Sequence, residues 1–185
     1  MKRFLFFMFL ASVGFISTAR AKALAYFNRD LTTVSAVDLS RYAGRWYEIA
    51  RLPNVFEKRD MTNIMADYDL LPSGLVSVCN SSLRANGSTA EVSGVARAVD
   101  TSNTKLEVTF APAVLRLLPF IWGNYWILDL DADYQWSLVG EPTRKYLWVL
   151  SRQPEMPEDL YRTICNSAQE KGFDTTDLIR PLQRH

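Results

Sequence analysis

The side chains that could act as nucleophiles, general bases or metal ligands are few and far apart in this sequence. The single histidine, His185, is the last residue, and Cys79 and Cys165 stand far apart along the chain. A catalytic pair needs a base held firmly beside its nucleophile, and a terminal side chain is poorly suited to that role. Asp131 and Asp133 lie in a predicted turn, where Asp is common for conformational reasons. The sequence therefore predicts no enzyme, no metal site and no cofactor.

Aromatic and apolar side chains offer another chemistry, the binding of an apolar molecule. The segment 44–51 alternates like a β-strand. Alternation places its side chains on two faces, with Trp46, Glu48 and Ala50 inward and Tyr47, Ile49 and Arg51 outward. A second strand, 147–152, ends in Arg152, which we expect to stack on the ring of Trp46.

The elements that position these residues form a succession of short alternating runs separated by turn residues. The predicted strands are 44–52, 63–71, 75–84, 89–99, 104–111, 122–131, 134–141 and 145–152. Asn86-Gly87 marks a tight hairpin because both residues tolerate positive φ. The pattern predicts an all-β fold, an eight-stranded antiparallel up-and-down barrel, which is wide enough to hold one small ligand.

The periodicity changes after Arg152. Acidic residues at 158–159 favour the start of a helix, and Leu160, Ile164 and Ala168 form one apolar stripe along it. We predict that this C-terminal helix packs on the outside of the barrel, with Tyr47 and Ile49 as its candidate seat.

Three motifs in this order resemble those of the lipocalin family, and particularly its bacterial lipocalins and apolipoprotein D-like members. They are Gly44–Arg51, Tyr125–Tyr134 and Tyr146–Arg152. The resemblance covers about residues 35–182, which we interpret as a single domain. It assigns Gly44, Trp46, Asp133 and Arg152 to the structural motifs, although many members have Thr where this chain has Ala132.

The resemblance, together with alternation, implies which residues face a ligand cavity. They are Tyr68, Arg84, Val108, Phe110, Tyr125, Ile127 and Trp148. Val78, Ser82 and Leu106 are also predicted to point inward, whereas Trp46, Leu150 and Arg152 are expected to fill the closed end. A packed core without a cavity is the alternative for the inward residues.

The segment between the fifth and sixth predicted strands is far more apolar than a solvated loop requires. Val114, Leu117, Leu118 and Phe120 lie in it, between two prolines or just after them. Exposed apolar patches usually mark a membrane, a partner or a ligand lid. We expect this loop to contact a membrane or a second copy of the chain. The alternative is that its side chains fold inward and plug the barrel.

Residues 1–21 read as a secretory signal, with a basic start, an apolar stretch and a cleavage site after residue 21 or 25. No cysteine precedes Cys79, so a lipid-anchored N-terminus is not expected. The predicted location is the periplasm, free or peripherally on the outer membrane, or outside the cell. Export would permit a disulfide between Cys79 and Cys165, and two free thiols are the alternative.

Removing the signal changes the formal charge from +1 to −2, and no basic stripe remains to suggest nucleic acid as a partner. The family resemblance implies a small hydrophobic ligand, such as a fatty acid or a lysophospholipid used in membrane maintenance. A pigment or tetrapyrrole carrier is the alternative, and a lipocalin-type isomerase or epoxide-converting enzyme is a weaker one. The sequence leaves a homodimer open.

Overall fold

The computed structural model describes residues 30–183, so the predicted signal segment and His185 lie outside the described residues. The strands are β1 (Gly44–Arg51), β2 (Thr62–Leu70), β3 (Val76–Leu83), β4 (Thr89–Ala98), β5 (Lys105–Thr109), β6 (Gly123–Leu130), β7 (Trp136–Gly140) and β8 (Leu147–Ser151). Each pairs with the next, and β8 pairs antiparallel with β1 to close the barrel. The predicted fold is confirmed.

Within residues 30–183, two α-helices flank the barrel. The short helix α1 (Leu39–Tyr42) precedes β1 and is capped by Asp38, whose Oδ1 accepts a hydrogen bond from the backbone N–H of Ser40 at 2.9 Å. The longer helix α2 (Glu158–Glu170) follows β8. Two short 3₁₀ turns, Ala113–Leu115 and Pro119–Ile121, lie in the connection between β5 and β6.

Helix α2 packs on the outside of the barrel, as predicted. Tyr161, Ile164 and Ala168 are its buried side chains. They share an apolar cluster with outward side chains of four strands, which are Ile49, Ala50, Leu128, Leu138, Leu147 and Val149. The helix therefore sits over β1, β6, β7 and β8. Ile49 belongs to its seat, but Tyr47 does not join this cluster.

The closed end of the barrel is held by Arg152. Its guanidinium carbon lies 3.8 Å from the centroid of the Trp46 ring, which confirms the expected stacking. The same guanidinium donates hydrogen bonds to four backbone carbonyls around the entry to β1, those of Arg41, Tyr42, Ala43 and Arg45, at 2.8–3.2 Å. One side chain thus ties the end of β8 to the start of β1.

Gly44 is required at this point for two reasons. Its φ of +92° is a conformation that favours glycine, and a Cβ there would stand 3.3 Å from Nη1 of Arg152. Both the backbone conformation and the close approach of Arg152 therefore favour glycine at position 44.

The turn between β6 and β7 contains Asp133, which the family resemblance assigns to a structural motif. Asp133 is exposed, and its carboxylate accepts no hydrogen bond within residues 30–183. Asp131 organises the turn instead, because its Oδ2 accepts from the backbone N–H groups of Asp133 at 3.0 Å and Gln135 at 3.1 Å. An Asp side chain that bonds its own backbone two residues on is a common turn device.

A β-bulge in β1 corrects the predicted alternation. Glu48 pairs with Leu150, but the next pair joins Ala50 to Val149, so Ile49 is an extra residue on β1. Ala50 consequently faces outward, into the cluster under α2. Arg51 faces inward and is completely buried, although simple alternation placed it outside.

The C-terminal segment fills a gap in the barrel wall beyond the bulge. β1 pairs with β2 only over Gly44–Tyr47. Further along, Ile179 exchanges two backbone hydrogen bonds with Arg51, at 2.8 and 3.0 Å. The Gln183 amide then donates to the carbonyls of Glu48 and Ile64 at 2.8 and 3.1 Å. These bonds pair backbone groups that the diverging strands leave open.

The two cysteines are free thiols. Cys79 lies on β3, whereas Cys165 lies on α2, which covers a different part of the wall. Within residues 30–183, none of the helices is both long and apolar enough to cross a membrane.

The contacts of Arg152 predict a role in stability. Replacement Arg152→Ala removes the stacking contact and leaves several carbonyls at the closed end without their donor. We expect the free energy of unfolding to fall by about 1–3 kcal/mol, measured by urea denaturation. Arg59→Ala, at an exposed arginine of the β1–β2 loop, is the control and should be neutral. Equal stability of the two variants would contradict the assignment.

Candidate ligand-binding site

A cavity of about 620 Å³ occupies the barrel and opens between the β1–β2, β5–β6 and β7–β8 loops. This volume lies within the range usual for sites that hold small molecules. Apolar side chains form most of its wall, including Ile64, Val76, Val78, Leu106 and Leu150. The interior of the barrel is therefore not fully packed but contains a cavity.

Three tyrosine hydroxyls form a polar network near the floor of the cavity. Tyr125 Oη lies 2.9 Å from Tyr42 Oη and 3.2 Å from Tyr68 Oη. The Tyr42 hydroxyl also donates to Ser137 Oγ at 3.1 Å. Burial raises the pKa of Tyr42 to about 12 and those of Tyr68 and Tyr125 well above the ordinary value. All three phenols therefore stay neutral at physiological pH and offer hydroxyls to a ligand.

Asn80 adds an acceptor to the same cavity. It lies on β3 and lines the wall, and its Oδ1 is buried without a hydrogen-bond partner in the described part of the chain. A buried acceptor left unpaired is unfavourable, so a ligand hydroxyl or N–H at this point would be stabilised.

A cluster of charged side chains, Arg51, Glu48 and Glu57, lies nearer the mouth. It forms because the bulge in β1 turns Arg51 inward. Arg51 Nη1 donates to Glu48 Oε1 at 2.6 Å, and Arg51 Nη2 donates to the carbonyl of Lys58 at 2.7 Å. Arg51 Nε stands 3.5 Å from Glu57 Oε2. Both glutamates line the cavity. Arg51 thereby anchors the β1–β2 loop and shares its charge between two carboxylates.

The pKa of Glu48 is raised to about 8, mainly by burial and secondly by the neighbouring Glu57 carboxylate. The Arg51 guanidinium lowers the pKa of Glu48, but burial and the neighbouring Glu57 raise it by more. The Glu48 carboxyl is therefore largely protonated at neutral pH.

Five of the predicted ligand-facing residues line the cavity. They are Tyr68, Val108, Phe110, Tyr125 and Trp148. Strand alternation placed Tyr68, Val108, Tyr125 and Trp148 correctly because their strands are regular where these residues occur. Phe110 continues the alternation one residue beyond the end of β5. Leu150, expected to fill the closed end, also reaches the cavity wall.

Two predicted ligand residues do not line the cavity. Arg84 is exposed just beyond the end of β3, and its guanidinium donates to Ser88 Oγ and the Thr89 carbonyl at 3.3 Å. The turn after β3 corrects the predicted two-residue hairpin, since Gly87 has positive φ and Asn86 does not. The turn spans Arg84–Ser88, with the Gly87 N–H donating to the Arg84 carbonyl at 2.9 Å, so Arg84 belongs to the turn and lies in solvent. Ile127 is fully buried beneath the cavity in a cluster with Val37, Trp46 and Val139, so α1 and the segment before it fill the space that Ile127 was expected to border.

Several polar or aromatic residues that line the cavity were not among the predicted ligand-facing residues. They are Tyr42, Asn80, Glu57 and Tyr146. Tyr42 lies on a helix that was not predicted, whereas Glu57 and Tyr146 lie in the loops at the mouth, where no periodicity marks an inward side chain. Asn80 shares its face with Val78 on β3, so alternation could have identified it.

The apolar β5–β6 loop is turned outward. Val114 is 80% exposed and Leu117 is 92% exposed, and neither lines the cavity. Leu118 is partly exposed, while Phe120 is largely exposed and also borders the mouth. The inward plug is therefore not the arrangement of this loop.

Comparison with known proteins gives one consistent family. A profile described as a lipocalin-like domain matches residues 37–183. The chain is 37% identical over 158 residues to temperature-induced lipocalin-1 of Arabidopsis thaliana, covering 84% of each. It is 35% identical over 154 residues to the outer membrane lipoprotein Blc of Vibrio cholerae, covering 82% of this chain and 85% of that protein. Identity to apolipoprotein D of Mus musculus is 33% over 145 residues, covering 74% and 72%.

Solved structures share the architecture at lower identity. Insecticyanin from the tobacco hornworm Manduca sexta superposes with a TM-score of 0.65 at 22% identity, covering 83% of this chain and 84% of that one. Lobster apocrustacyanin A1 gives 0.62 at 12% identity, covering 85% and 93%. These likenesses concern the fold alone.

The raised pKa of Glu48 predicts a dependence of stability on pH. The folded chain holds a proton up to about pH 8, which the unfolded chain releases above the ordinary value of 4.5. The free energy of unfolding should therefore fall as pH rises between these values, by at most about 1.4 kcal/mol per pH unit from this group. In urea titrations across this interval, Glu48→Gln should reduce the slope.

The control is Glu155→Gln, at an exposed carboxyl outside the cavity, which should keep the wild-type slope. An unchanged slope in Glu48→Gln would mean that the Glu48 carboxyl ionises at its ordinary pKa.

Proposed function

This chain belongs to the lipocalin family, and we propose that it binds a fatty acid or a lysophospholipid in its barrel and stores or carries it for membrane maintenance. The observation that supports this function best is the cavity itself, a mostly apolar space of about 620 Å³ that opens at one end. An apolar chain gains free energy on leaving water for such a space.

The polar groups of the cavity suit an amphiphile better than a plain hydrocarbon. Tyrosine hydroxyls and Asn80 lie among the apolar residues, while Glu57 and Lys145 border the mouth. A few placed polar groups in an apolar wall fix the orientation of a ligand. A lipid chain would lie along the barrel, with its polar head toward the open end.

The first test is direct binding of a fluorescent fatty acid or lysophospholipid. Wild type should bind with micromolar or tighter affinity, about −8 kcal/mol. Trp148→Asp should weaken binding by about tenfold or more, because it places a carboxylate in the apolar wall. Val99→Asp, at an exposed residue outside the barrel, is the matched control and should bind normally.

Failure of wild type to bind either class of lipid would reject the proposed function. Visible absorbance of the purified protein would favour a pigment carrier instead.

A membrane is the proposed source or destination of the lipid. Apolar side chains from two loops are exposed at the end where the cavity opens, and they are Val55, Phe56, Val114, Leu117 and Phe120. Lys58 and Arg59 are exposed beside them in the β1–β2 loop. Insertion of these loop tips into a bilayer would bury apolar surface and bring the mouth of the cavity to the lipid.

The second test separates this contact from ligand binding. The double variant Val114→Ser, Leu117→Ser changes two exposed residues that do not line the cavity. Its affinity for liposomes in flotation assays should fall at least about tenfold, since each buried side chain of this size contributes about 1.5–3 kcal/mol. Val92→Ser with Val99→Ser, which are exposed elsewhere on the barrel, should leave liposome binding unchanged.

Unaltered liposome binding in the loop variant would refute the membrane contact. A change in sedimentation instead would indicate that the same residues join two copies of the chain.

Export to the periplasm, with the chain free or held peripherally at the outer membrane, or secreted, completes the proposal. It is supported by the basic and apolar pattern of residues 1–21. The intact mass of the mature chain is the direct check, and it should correspond to a start at Lys22 or Tyr26. A mass retaining residues 1–21 would count against export by this route.

A further inference from the structure

One corner of the cavity mouth combines a carboxylate with several aromatic rings. Glu57 Oε2 accepts a hydrogen bond from Trp148 Nε1 at 3.3 Å. The Trp148 ring stacks on Tyr146 with centroids 6.0 Å apart, and Tyr146 contacts Phe56 at 5.6 Å. All four residues line the cavity. Two stretches of the chain, 56–57 and 146–148, thus bring a carboxylate and a group of adjoining aromatic rings to the same place.

The charge on Glu57 is incompletely matched by its surroundings. Arg51, which is fully buried, gives its Nη1 bond to Glu48 and its Nη2 bonds to the carbonyls of Glu57 and Lys58. Its remaining donor, Nε, is buried without a hydrogen bond and stands 3.5 Å from Glu57 Oε2. Glu57 Oε2 also accepts from Asn54 Nδ2 at 2.9 Å, and the Glu48 carboxyl hydrogen-bonds to the Glu57 carboxyl. No N–H group of residues 30–183 donates to Glu57 Oε1, so this oxygen keeps acceptor capacity for a ligand.

We propose that this corner binds the positively charged ammonium group of an amphiphile whose apolar chain lies in the barrel. The inference rests on the proposed function and refines it, since it selects among lipid heads. An ammonium group over the faces of Trp and Tyr is stabilised by their π systems, and more strongly when it is removed from water. Glu57 supplies the opposite charge beside those faces.

The geometry suits methylated and unmethylated ammonium groups in different ways. A quaternary ammonium donates no hydrogen bond, so it depends on the rings of Tyr146 and Trp148 and on the nearby charge. A primary ammonium can in addition donate to Glu57 Oε1. Choline and ethanolamine lysophospholipids and long-chain amines all present such a group, whereas a fatty acid presents a carboxylate that Glu57 would repel.

Lys145 is a nearby positive group that would favour a negatively charged head over an ammonium head. It lines the cavity mouth and could attract a carboxylate or a phosphate. In a zwitterionic lysophospholipid, the phosphate can approach Lys145 while the ammonium lies against Glu57, so the two groups need not compete. Comparing heads of opposite charge on one chain length therefore decides between them.

The experiment measures the binding of three matched amphiphiles, below their micelle concentrations, by calorimetry on the full chain. They are dodecyltrimethylammonium, dodecanol and dodecanoate. Wild type should bind the ammonium compound at least about fivefold more tightly than dodecanol, given the strength of a desolvated cation–π contact and its carboxylate partner. Dodecanoate should bind more weakly than the ammonium compound. Free choline should bind far more weakly than either, because it lacks the chain.

Two variants test whether Glu57 and Tyr146 cause the preference for the ammonium compound. Glu57→Gln keeps an acceptor for Trp148 but removes the charge, and it should weaken ammonium binding by about tenfold or more while leaving dodecanol unchanged. Tyr146→Leu should weaken the trimethylammonium compound several-fold with the same selectivity. Glu155→Gln, at an exposed carboxyl away from the cavity, should bind all three like wild type.

The outcomes separate this inference from the proposed function. If wild type binds dodecanol and dodecanoate but shows no preference for the ammonium compound, the ammonium site is rejected and the lipid carrier stands. If none of the three binds, the carrier proposal itself fails. Equal losses for all three probes in Glu57→Gln would assign Glu57 a structural role in the loop and would overturn the site.

Discussion

The barrel encloses a cavity because β8 pairs with β1 and closes the sheet. An open eight-stranded sheet would expose two edges, whereas the closed barrel pairs each strand with both neighbours and encloses its inner face. Arg152 secures the seam at one end by stacking on Trp46 and binding the carbonyls at the start of β1. Because α1 and Trp46 fill that end, the cavity can open only at the other.

The bulge in β1, at the same β8–β1 junction, determines which charged side chains lie at the mouth of the cavity. An unbulged β1 would turn Arg51 toward the cluster under α2, where a charge could find no water. The extra residue at Ile49 turns Arg51 inward instead, between Glu48 and Glu57. The β1–β2 loop is then anchored through the Glu57 and Lys58 carbonyls. A local irregularity of the backbone thereby gives an apolar barrel a charged and ordered mouth.

The barrel, its strand order and the outer helix could be predicted because alternation, turn residues and the apolar stripe of α2 all indicate the same fold. Tyr68, Val108 and Trp148 were placed at the cavity for the same reason. Prediction failed where the backbone departs from a regular period. The bulge reversed the faces on which Ala50 and Arg51 lie. The turn after β3 leaves Arg84 in solvent, and the unpredicted α1 helps fill the space above Ile127. Glu57 and Tyr146 lie in loops, where only the three-dimensional structure shows which side chains turn inward.

We propose that the barrel carries a single-chain lipid. Native mass spectrometry of the purified full-length protein, followed by extraction and identification of what it holds, tests this most directly. We expect a population with one bound molecule whose extracted mass is that of a fatty acid or a lysophospholipid. Delipidated protein should regain such a molecule when it is exposed to membrane lipids. Protein that remains ligand-free after such exposure, or that yields a pigment rather than a lipid, would contradict it.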